Sequence, residues 1–213
     1  MTPKERIIDE STNLFVQYGV KSVRMDDIAS RLGISKRTIY ELFGDRESLI
    51  ITCVRHYYAR QNRLHDERVA SARNVIEEFM LLFDDWESML SSNINFMSDL
   101  ERFYPAIFEK IRSELYESGR TRLKLKLRQG INDGIFLRHI NLDFSSAVLI
   151  ASLNTVFTSP AVYDSVNVSM SEAFKYIMMY FFRGISTEKG IRMIDEAIRE
   201  RFAPKEAPSP KKP

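Results

Sequence analysis

The sequence predicts an all-α fold, and three observations lead to this prediction. The 213 residues include only 8 Gly and 7 Pro, so long stretches contain no helix-breaking residue. Apolar residues in most of these stretches recur every three or four positions, which is the period of an amphipathic helix. Pairs of alternating segments joined by hairpin turns are missing. We expect about nine to ten helices, the first three forming a small N-terminal domain and the rest a larger helical domain.

The amino-acid composition limits the classes of function that this protein can have. The formal net charge is only +2, so a nucleic acid or a membrane would have to be met by a local patch. Cys53 is the only cysteine, which excludes an intramolecular disulfide and argues against a cysteine metal site. The N-terminus lacks the apolar segment of a signal peptide, and no uninterrupted apolar stretch reaches the ~18 residues of a membrane span. We therefore expect a cytoplasmic protein without a metal, a cofactor or a membrane partner.

The spacing of glycine and proline divides the chain into three regions. Residues 1–47 are short helices separated by Gly19, Gly33 and Gly44, and we assign them to the first domain. Residues 48–202 contain longer helices and form the second domain. Residues 203–213 are rich in proline and lysine, and a segment of that composition is expected to be disordered.

Within the first domain, residues 26–43 are typical of a helix, a tight turn and a second helix. Asp26 and Asp27 favour a helix N-terminus because they complement its dipole. Gly33 supplies the positive φ that a sharp turn requires, and Ser35 is a good N-cap for the next helix. An amphipathic helix over residues 4–18 precedes them and completes a three-helix unit. An ordinary helical hairpin inside a larger domain is the alternative.

The spacing of three residues makes this a helix-turn-helix prediction. Ala29 allows close helix contact, Gly33 makes the turn, and Ile39 anchors the second helix inward. The second helix then exposes polar side chains near its N-terminal end. Side chains in that position contact base edges and phosphates when such a helix enters the major groove of DNA. The exposed set is Ser35, Lys36, Arg37, Thr38 and Tyr40.

Residues 1–55 resemble the DNA-binding domain of the TetR (tetracycline repressor) family of transcriptional regulators. The matching motifs include Tyr18-Gly19, Asp27-Ile28-Ala29, Leu32-Gly33-Ile34-Ser35, Thr38-Ile39-Tyr40 and Glu47-Ser48-Leu49. The resemblance implies a homodimer with an N-terminal DNA-binding domain and a C-terminal domain for ligand binding and dimerisation. It further implies that Lys36, Arg37, Thr38 and Tyr40 contact DNA, and that Arg24 and Arg46 contact its backbone.

Glu41 departs from the family pattern, in which this position often holds Tyr. Its carboxylate would accept a hydrogen bond from a cytosine amino group, pair with a neighbouring arginine, or point away from the DNA. Residues 1–47 contain eight basic and eight acidic residues, so the charge of this domain sums to zero. We therefore expect DNA binding to depend on how the charges are distributed over the domain, with the acids on the face away from the DNA.

Two late segments, 143–159 and 170–184, are apolar on more than one side, which predicts burial against a partner chain as well as the core. A central core helix is the alternative. Ser169 and Glu172 form a capping-box pattern that starts the second segment. The residues predicted for a dimer interface are Phe144, Val148, Ala151, Phe174, Ile177 and Phe181.

The resemblance also implies a ligand pocket, for which aromatic residues of the second domain are candidates, although ordinary core packing is the preferred interpretation of any single one of them. They are Trp86, Phe96, Phe103, Tyr104, Phe108, Tyr116 and Phe157. Residues 122–128 alternate like a strand, but the spacing of Leu123, Leu127 and Ile131 favours a helix. The basic run from Arg120 to Arg128 fits a solvated helix face, a second nucleic-acid surface or an acidic partner.

The sequence thus predicts a regulator and not an enzyme, since no Ser-His-Asp arrangement, phosphate loop or dinucleotide fingerprint occurs. The expected function is a repressor that binds a palindromic double-stranded operator and is released by a small apolar or amphipathic effector. The alternative is a helix-turn-helix protein regulated by a protein partner or without any ligand.

Overall fold

The computed structural model describes residues 1–92 and 94–202, without the side chains of 86–92, 94–95, 157 and 201–202. The predicted tail, 203–213, lies outside the described residues. The all-α fold is confirmed: the described residues form eleven helices and no strand, slightly more helices than expected. They are α1 (Pro3–Tyr18), α2 (Met25–Leu32), α3 (Lys36–Phe43), α4 (Arg46–Val69), α5 (Val75–Ser92), α6 (Ile94–Phe103), α7 (Pro105–Asn132), α8 (Leu142–Thr158), α9 (Ala161–Asp164), α10 (Met170–Ile185) and α11 (Glu188–Phe202).

Capping side chains define where several helices begin. The Thr2 hydroxyl accepts a hydrogen bond from the Glu5 backbone N–H at 3.2 Å, and the Glu5 carboxylate accepts from the Thr2 N–H at 2.7 Å. Ser169 and Glu172 form the same reciprocal capping box at the start of α10, as their spacing predicts. Residues 122–128 lie within α7, so their helical interpretation is confirmed, and the Leu125 side chain is 59% exposed.

The described chain divides into two compact units. Unit 1 comprises Met1–Ser71 and Leu81–Gly119, and unit 2 comprises Ala72–Met80 and the described residues from Arg120 onward. The three N-terminal helices therefore share a unit with α4, α6 and the adjoining parts of α5 and α7.

The core of unit 1 is built where α1 packs against α2, α4 and α6. Phe15 of α1, Ile28 of α2 and Ile39 of α3 are fully buried in it. Leu49 and Tyr57 extend the same core along α4. Burial of large apolar side chains is the dominant favourable term in folding, so these residues fix the positions of α2 and α3.

In unit 2, α8 packs against α10. The Phe182 ring of α10 lies 4.1 Å from the Phe79 ring and 5.8 Å from the Phe136 ring, measured between centroids. Phe136 and Ser186 form an isolated antiparallel bridge that joins the segments preceding α8 and α11.

Candidate nucleic-acid interface

The turn between α2 and α3 has the geometry predicted from its sequence. Gly33 ends α2 in the left-handed conformation with φ +67°, which a residue with a Cβ rarely adopts. The Ser35 hydroxyl then accepts a hydrogen bond from the Thr38 backbone N–H at 3.0 Å and caps α3. Ala29 and Ile39 are buried where the two helices pack. These local interactions hold α3 in a fixed position on α2.

The polar side of α3 faces away from this core. Lys36, Arg37 and Tyr40 are exposed, and the Arg37 side chain is the most accessible of the three at 86%. Ser35 is exposed and Thr38 is half-buried, and their hydroxyl groups lie 2.8 Å apart. All five residues predicted at the N-terminal end of this helix therefore lie on one short, accessible segment.

The expectation that acidic groups lie on the far face is wrong for two of them. Asp26 accepts a hydrogen bond from the Lys36 ammonium at 3.0 Å, and this contact raises the pKa of Lys36. Glu41 accepts one from the Arg37 Nε at 2.7 Å. Asp26 lies at the start of α2, beside α3, and Glu41 is one turn after Arg37, so helix geometry brings both carboxylates to the exposed side. Of the three alternatives for Glu41, the pairing with a neighbouring arginine occurs.

The two flanking arginines differ. The side chain of Arg24 is exposed at the N-cap of α2, while its backbone N–H donates to Asp27. Arg46, in contrast, is occupied within the protein. Its guanidinium donates to the Val20 carbonyl at 2.6 Å and to the Tyr104 hydroxyl at 3.0 Å. These internal acceptors take up two of the five N–H donors of Arg46, and its implied phosphate contact stays a prediction.

The Arg46 contacts belong to a larger attachment between α6 and the α1–α2 connection. The Asp99 carboxylate accepts a hydrogen bond from the Lys21 backbone N–H at 2.9 Å, and the Lys21 ammonium lies 4.3 Å above the centre of the Phe103 ring. We call Lys21, Arg46, Asp99, Phe103 and Tyr104 the α6 clamp. The sequence reasoning missed it because its contacting residues are separated by up to 78 residues, and no local pattern reports such a contact.

The predicted ligand-site aromatics whose side chains are described lie in different surroundings. Phe96 is fully buried, and Tyr104 and Phe108 pack against the same unit 1 core. Phe103 contacts Lys21, and Tyr116 is half-buried. The side chains of Trp86 and Phe157 lie outside the described residues. A groove of about 210 Å³ lies between α4 and α7, lined by Arg55, Tyr58, Ala59, Asn62, Ile111, Glu114, Leu115 and Ser118.

The predicted dimer-interface residues divide by exposure. On α8, Phe144 is 69% exposed, and Val148 and Ala151 are also exposed. On α10, Ile177 and Phe181 are half-buried. Phe174 is only 1% exposed and lies in the core of its own chain, because it is on the inward side of α10. The exposed side of α10 carries Tyr176 and Tyr180, whose rings stack with centroids 5.9 Å apart. Their i, i+4 spacing is the sequence signal that could have found them.

Other polar groups among the described residues pair within the protein or are buried. Asp143 lies within ion-pair distance of Arg120 and Lys124, and Glu78 lies 2.5 Å from Lys126, so acids of unit 2 match much of the basic run. Burial raises the pKa of Cys53 to about 12. Among the side chains that the structure describes in 1–85, 96–156 and 158–200, no group of three His, Cys, Asp or Glu is arranged to hold a metal. In the same part of the chain, every helix is too short or too polar to cross a membrane.

Comparison with known sequences agrees with this geometry. Residues 7–53 match the family model described as bacterial regulatory proteins, tetR family. The uncharacterized HTH-type transcriptional regulator YvaF of Bacillus subtilis (strain 168) is 24% identical over 187 residues, which are 87% of this chain and 96% of YvaF. The match to the family model thus covers the whole helix-turn-helix, and the match to YvaF extends over most of the chain.

Solved structures share the fold. A transcriptional regulator from Cytophaga hutchinsonii ATCC 33406 superposes with a TM-score of 0.70 at 18% identity, over 86% of this chain and 98% of its own. The transcriptional regulator FadR from Bacillus subtilis, solved in complex with stearoyl-CoA, superposes with a TM-score of 0.62 at 17% identity, over 85% and 99%. With the helix-turn-helix geometry, these findings show that residues 7–53 match the DNA-binding domain of the tetR family of bacterial regulatory proteins, and that the described chain shares the fold of solved transcriptional regulators.

Proposed function

We propose that two copies of this chain bind a palindromic operator through α3, repress transcription, and are released by a small apolar or amphipathic effector. The observation that carries the DNA-binding part is the accessible N-terminal end of α3. Lys36, Arg37 and Tyr40 are exposed there on a helix held by Gly33 and Ser35.

The dimensions of α3 suit a major groove. An α-helix with its side chains is ~10–12 Å in diameter, which fits the ~12 Å width of the major groove of B-DNA. The 8 residues of α3 extend about 12 Å along the helix axis. A guanidinium such as that of Arg37 donates to guanine, while hydroxyl groups such as those of Ser35 and Tyr40 reach phosphates. The exposed Arg24 side chain at the N-cap of α2 adds a further cation for the DNA backbone.

The exposed apolar side chains of α8 and α10 support a two-fold dimer. Phe144 and Val148 on α8, and Tyr176 and Tyr180 on α10, are accessible in the single chain. Apolar groups of this size gain free energy when a second copy covers them. In a two-fold dimer, each α3 would enter one half-site, with half-sites ~34–36 Å or a multiple of that distance apart.

The α6 clamp supports regulation by a ligand. It fixes the α1–α2 connection to the C-terminal end of α6 through Lys21 and Arg46. A ligand that favours a displaced α6 would therefore move the DNA-binding helices, and it shifts binding only as far as it prefers that state. The stearoyl-CoA in the structure of FadR from B. subtilis supports an acyl-chain compound as the class of effector.

Selection from a random duplex library tests the DNA-binding proposal. The intact chain should enrich an inverted repeat, and Arg37→Ala should weaken binding to it by ~5–150-fold, because one bidentate base contact carries about that discrimination. Tyr40→Phe should weaken binding to all sequences alike. Arg63→Ala is the matched control, since Arg63 is an exposed arginine far along α4. Equal affinity of the Arg37→Ala and Arg63→Ala variants would contradict the assignment of α3.

Titration of acyl-CoA thioesters and free fatty acids into the operator complex tests the effector. Release by one compound class, with a rise in Tm of the free protein, supports the ligand-released repressor. If neither these compounds nor a small-molecule extract releases the operator, the alternative of a protein partner or no ligand is favoured instead.

A further inference from the structure

The exposed side of α3 carries an ion pair that DNA binding alone does not require. Arg37 and Glu41 lie one turn apart on α3, and the Arg37 Nε donates to Glu41 at 2.7 Å. Their side chains are 86% and 59% exposed. A carboxylate at this position would be repelled by phosphates, so its presence on the exposed side of α3 needs an explanation.

The geometry of the pair leaves the outer donors of Arg37 available. Glu41 occupies the Nε, and among the described residues no other acceptor bonds to the Arg37 guanidinium. The two terminal nitrogens therefore remain free to donate together to a planar acceptor pair. Guanine presents such a pair in the major groove through its O6 and N7 atoms.

The charge of the pair matters as much as its geometry. A lone arginine on α3 would attract any phosphate, whatever the sequence, and would strengthen non-specific binding. With Glu41 at hydrogen-bond distance, the net charge of the pair is zero. Lys36 is matched by Asp26 in the same way, so the exposed side of α3 as a whole gains little from phosphates alone.

We propose that Glu41 is a specificity-determining residue: it orients Arg37 toward a guanine and lowers the affinity of α3 for DNA that lacks this base. This inference rests on the proposed DNA-binding function and deepens it. Repulsion of incorrect binding partners is a general means of raising specificity. Here the carboxylate of Glu41, which repels phosphates, also positions the Arg37 guanidinium, which binds the guanine.

The experiment uses the intact dimer and the duplex that it selects. Affinity is measured for this duplex and for duplexes with the Arg37-contacted guanine replaced, or changed to 7-deazaguanine, which lacks the N7 acceptor. The contacted guanine is identified as the position at which Arg37→Ala loses discrimination. Glu41→Ala removes both the charge and the acceptor, whereas Glu41→Gln removes only the charge. Glu67→Gln on α4 is the matched control, because it changes the charge equally at an exposed site about 31 Å along the helix from Arg46.

Glu41→Ala should lower the ratio of the affinity for the matched duplex to that for the mismatched duplex by ~3–10-fold, mainly because it binds the mismatched duplex more tightly. It should also make binding more dependent on salt, with about one more counterion released from the DNA. Glu41→Gln should retain more of the ratio, because its amide oxygen still accepts from Arg37. The double variant Arg37→Ala/Glu41→Ala should discriminate no less than Arg37→Ala alone, because Glu41 acts through Arg37.

Three outcomes would overturn the inference while leaving the proposed function intact. They are an unchanged ratio in Glu41→Ala, additive effects in the double variant, and an equal change in Glu67→Gln. A chain that selects no sequence at all would overturn the proposed function first, and the inference with it.

Discussion

Arg46→Ala is expected to lower the free energy of unfolding by about 2–3 kcal/mol, because hydrogen bonds that involve a charged group contribute about that much when partly buried. Arg46 donates to both the Val20 carbonyl and the Tyr104 hydroxyl, and its guanidinium lies 5.8 Å from the centre of the Phe15 ring. Urea unfolding of the DNA-free protein measures the loss.

Two further variants make this test specific. Tyr104→Phe removes one acceptor and should cost about 1 kcal/mol. Arg46→Lys keeps the charge, but its compact ammonium lacks the planar fork of donors that reaches both acceptors at once, so it should be destabilised nearly as much as Arg46→Ala. If Arg46 instead contacts phosphate, Arg46→Ala will keep its stability and lose operator affinity with a shallower salt dependence, which would refute the α6 clamp.

Phe144→Asp is expected to convert the proposed dimer into monomers. Phe144 is 69% exposed in the single chain, so the substitution leaves the fold intact. Each substitution occurs twice in a two-fold interface. The loss of two buried Phe side chains weakens the free energy of dimerisation by about 3–6 kcal/mol, and the introduced Asp charges weaken it further. The dimer Kd should therefore rise at least ~100-fold, as measured by sedimentation velocity, and operator affinity should fall with it.

Leu125→Asp is the matched control for that experiment. Leu125 is an exposed leucine on α7, 59% accessible, and it lies outside the proposed interface. Monomers from Leu125→Asp but not from Phe144→Asp would place the interface elsewhere and contradict the assignment to α8.

Local chemistry explains which features the sequence predicted. Gly33, Ser35 and Ile39 act within a few residues through a turn, a cap and one buried side chain, so their pattern defined the helix-turn-helix. Ser169 and Glu172 likewise marked the start of α10. Such features depend on backbone geometry that neighbouring residues determine.

The sequence was less informative where tertiary packing decides the surroundings of a side chain. Arg46 is held by Tyr104, 58 residues away, and no local pattern reports that contact. Phe174 lies on a helix that is apolar on most sides, so periodicity alone could not separate its inward side from the exposed side with Tyr176 and Tyr180. The pairing of Glu41 with Arg37 was one of three sequence-level alternatives, because side-chain orientation on an exposed helix is set by weak interactions.

The central claim, that α3 enters the major groove, is tested most directly by cleavage of DNA from α3 itself. The single native cysteine, Cys53, is buried and has a pKa of about 12, so an iron chelate attached through Leu42→Cys labels only α3. On the selected duplex we expect two symmetric clusters of cleavage, ~34–36 Å or a multiple of that distance apart. The absence of cleavage from Leu42→Cys, with clear cleavage from a chelate at Arg63→Cys on α4, would contradict the claim.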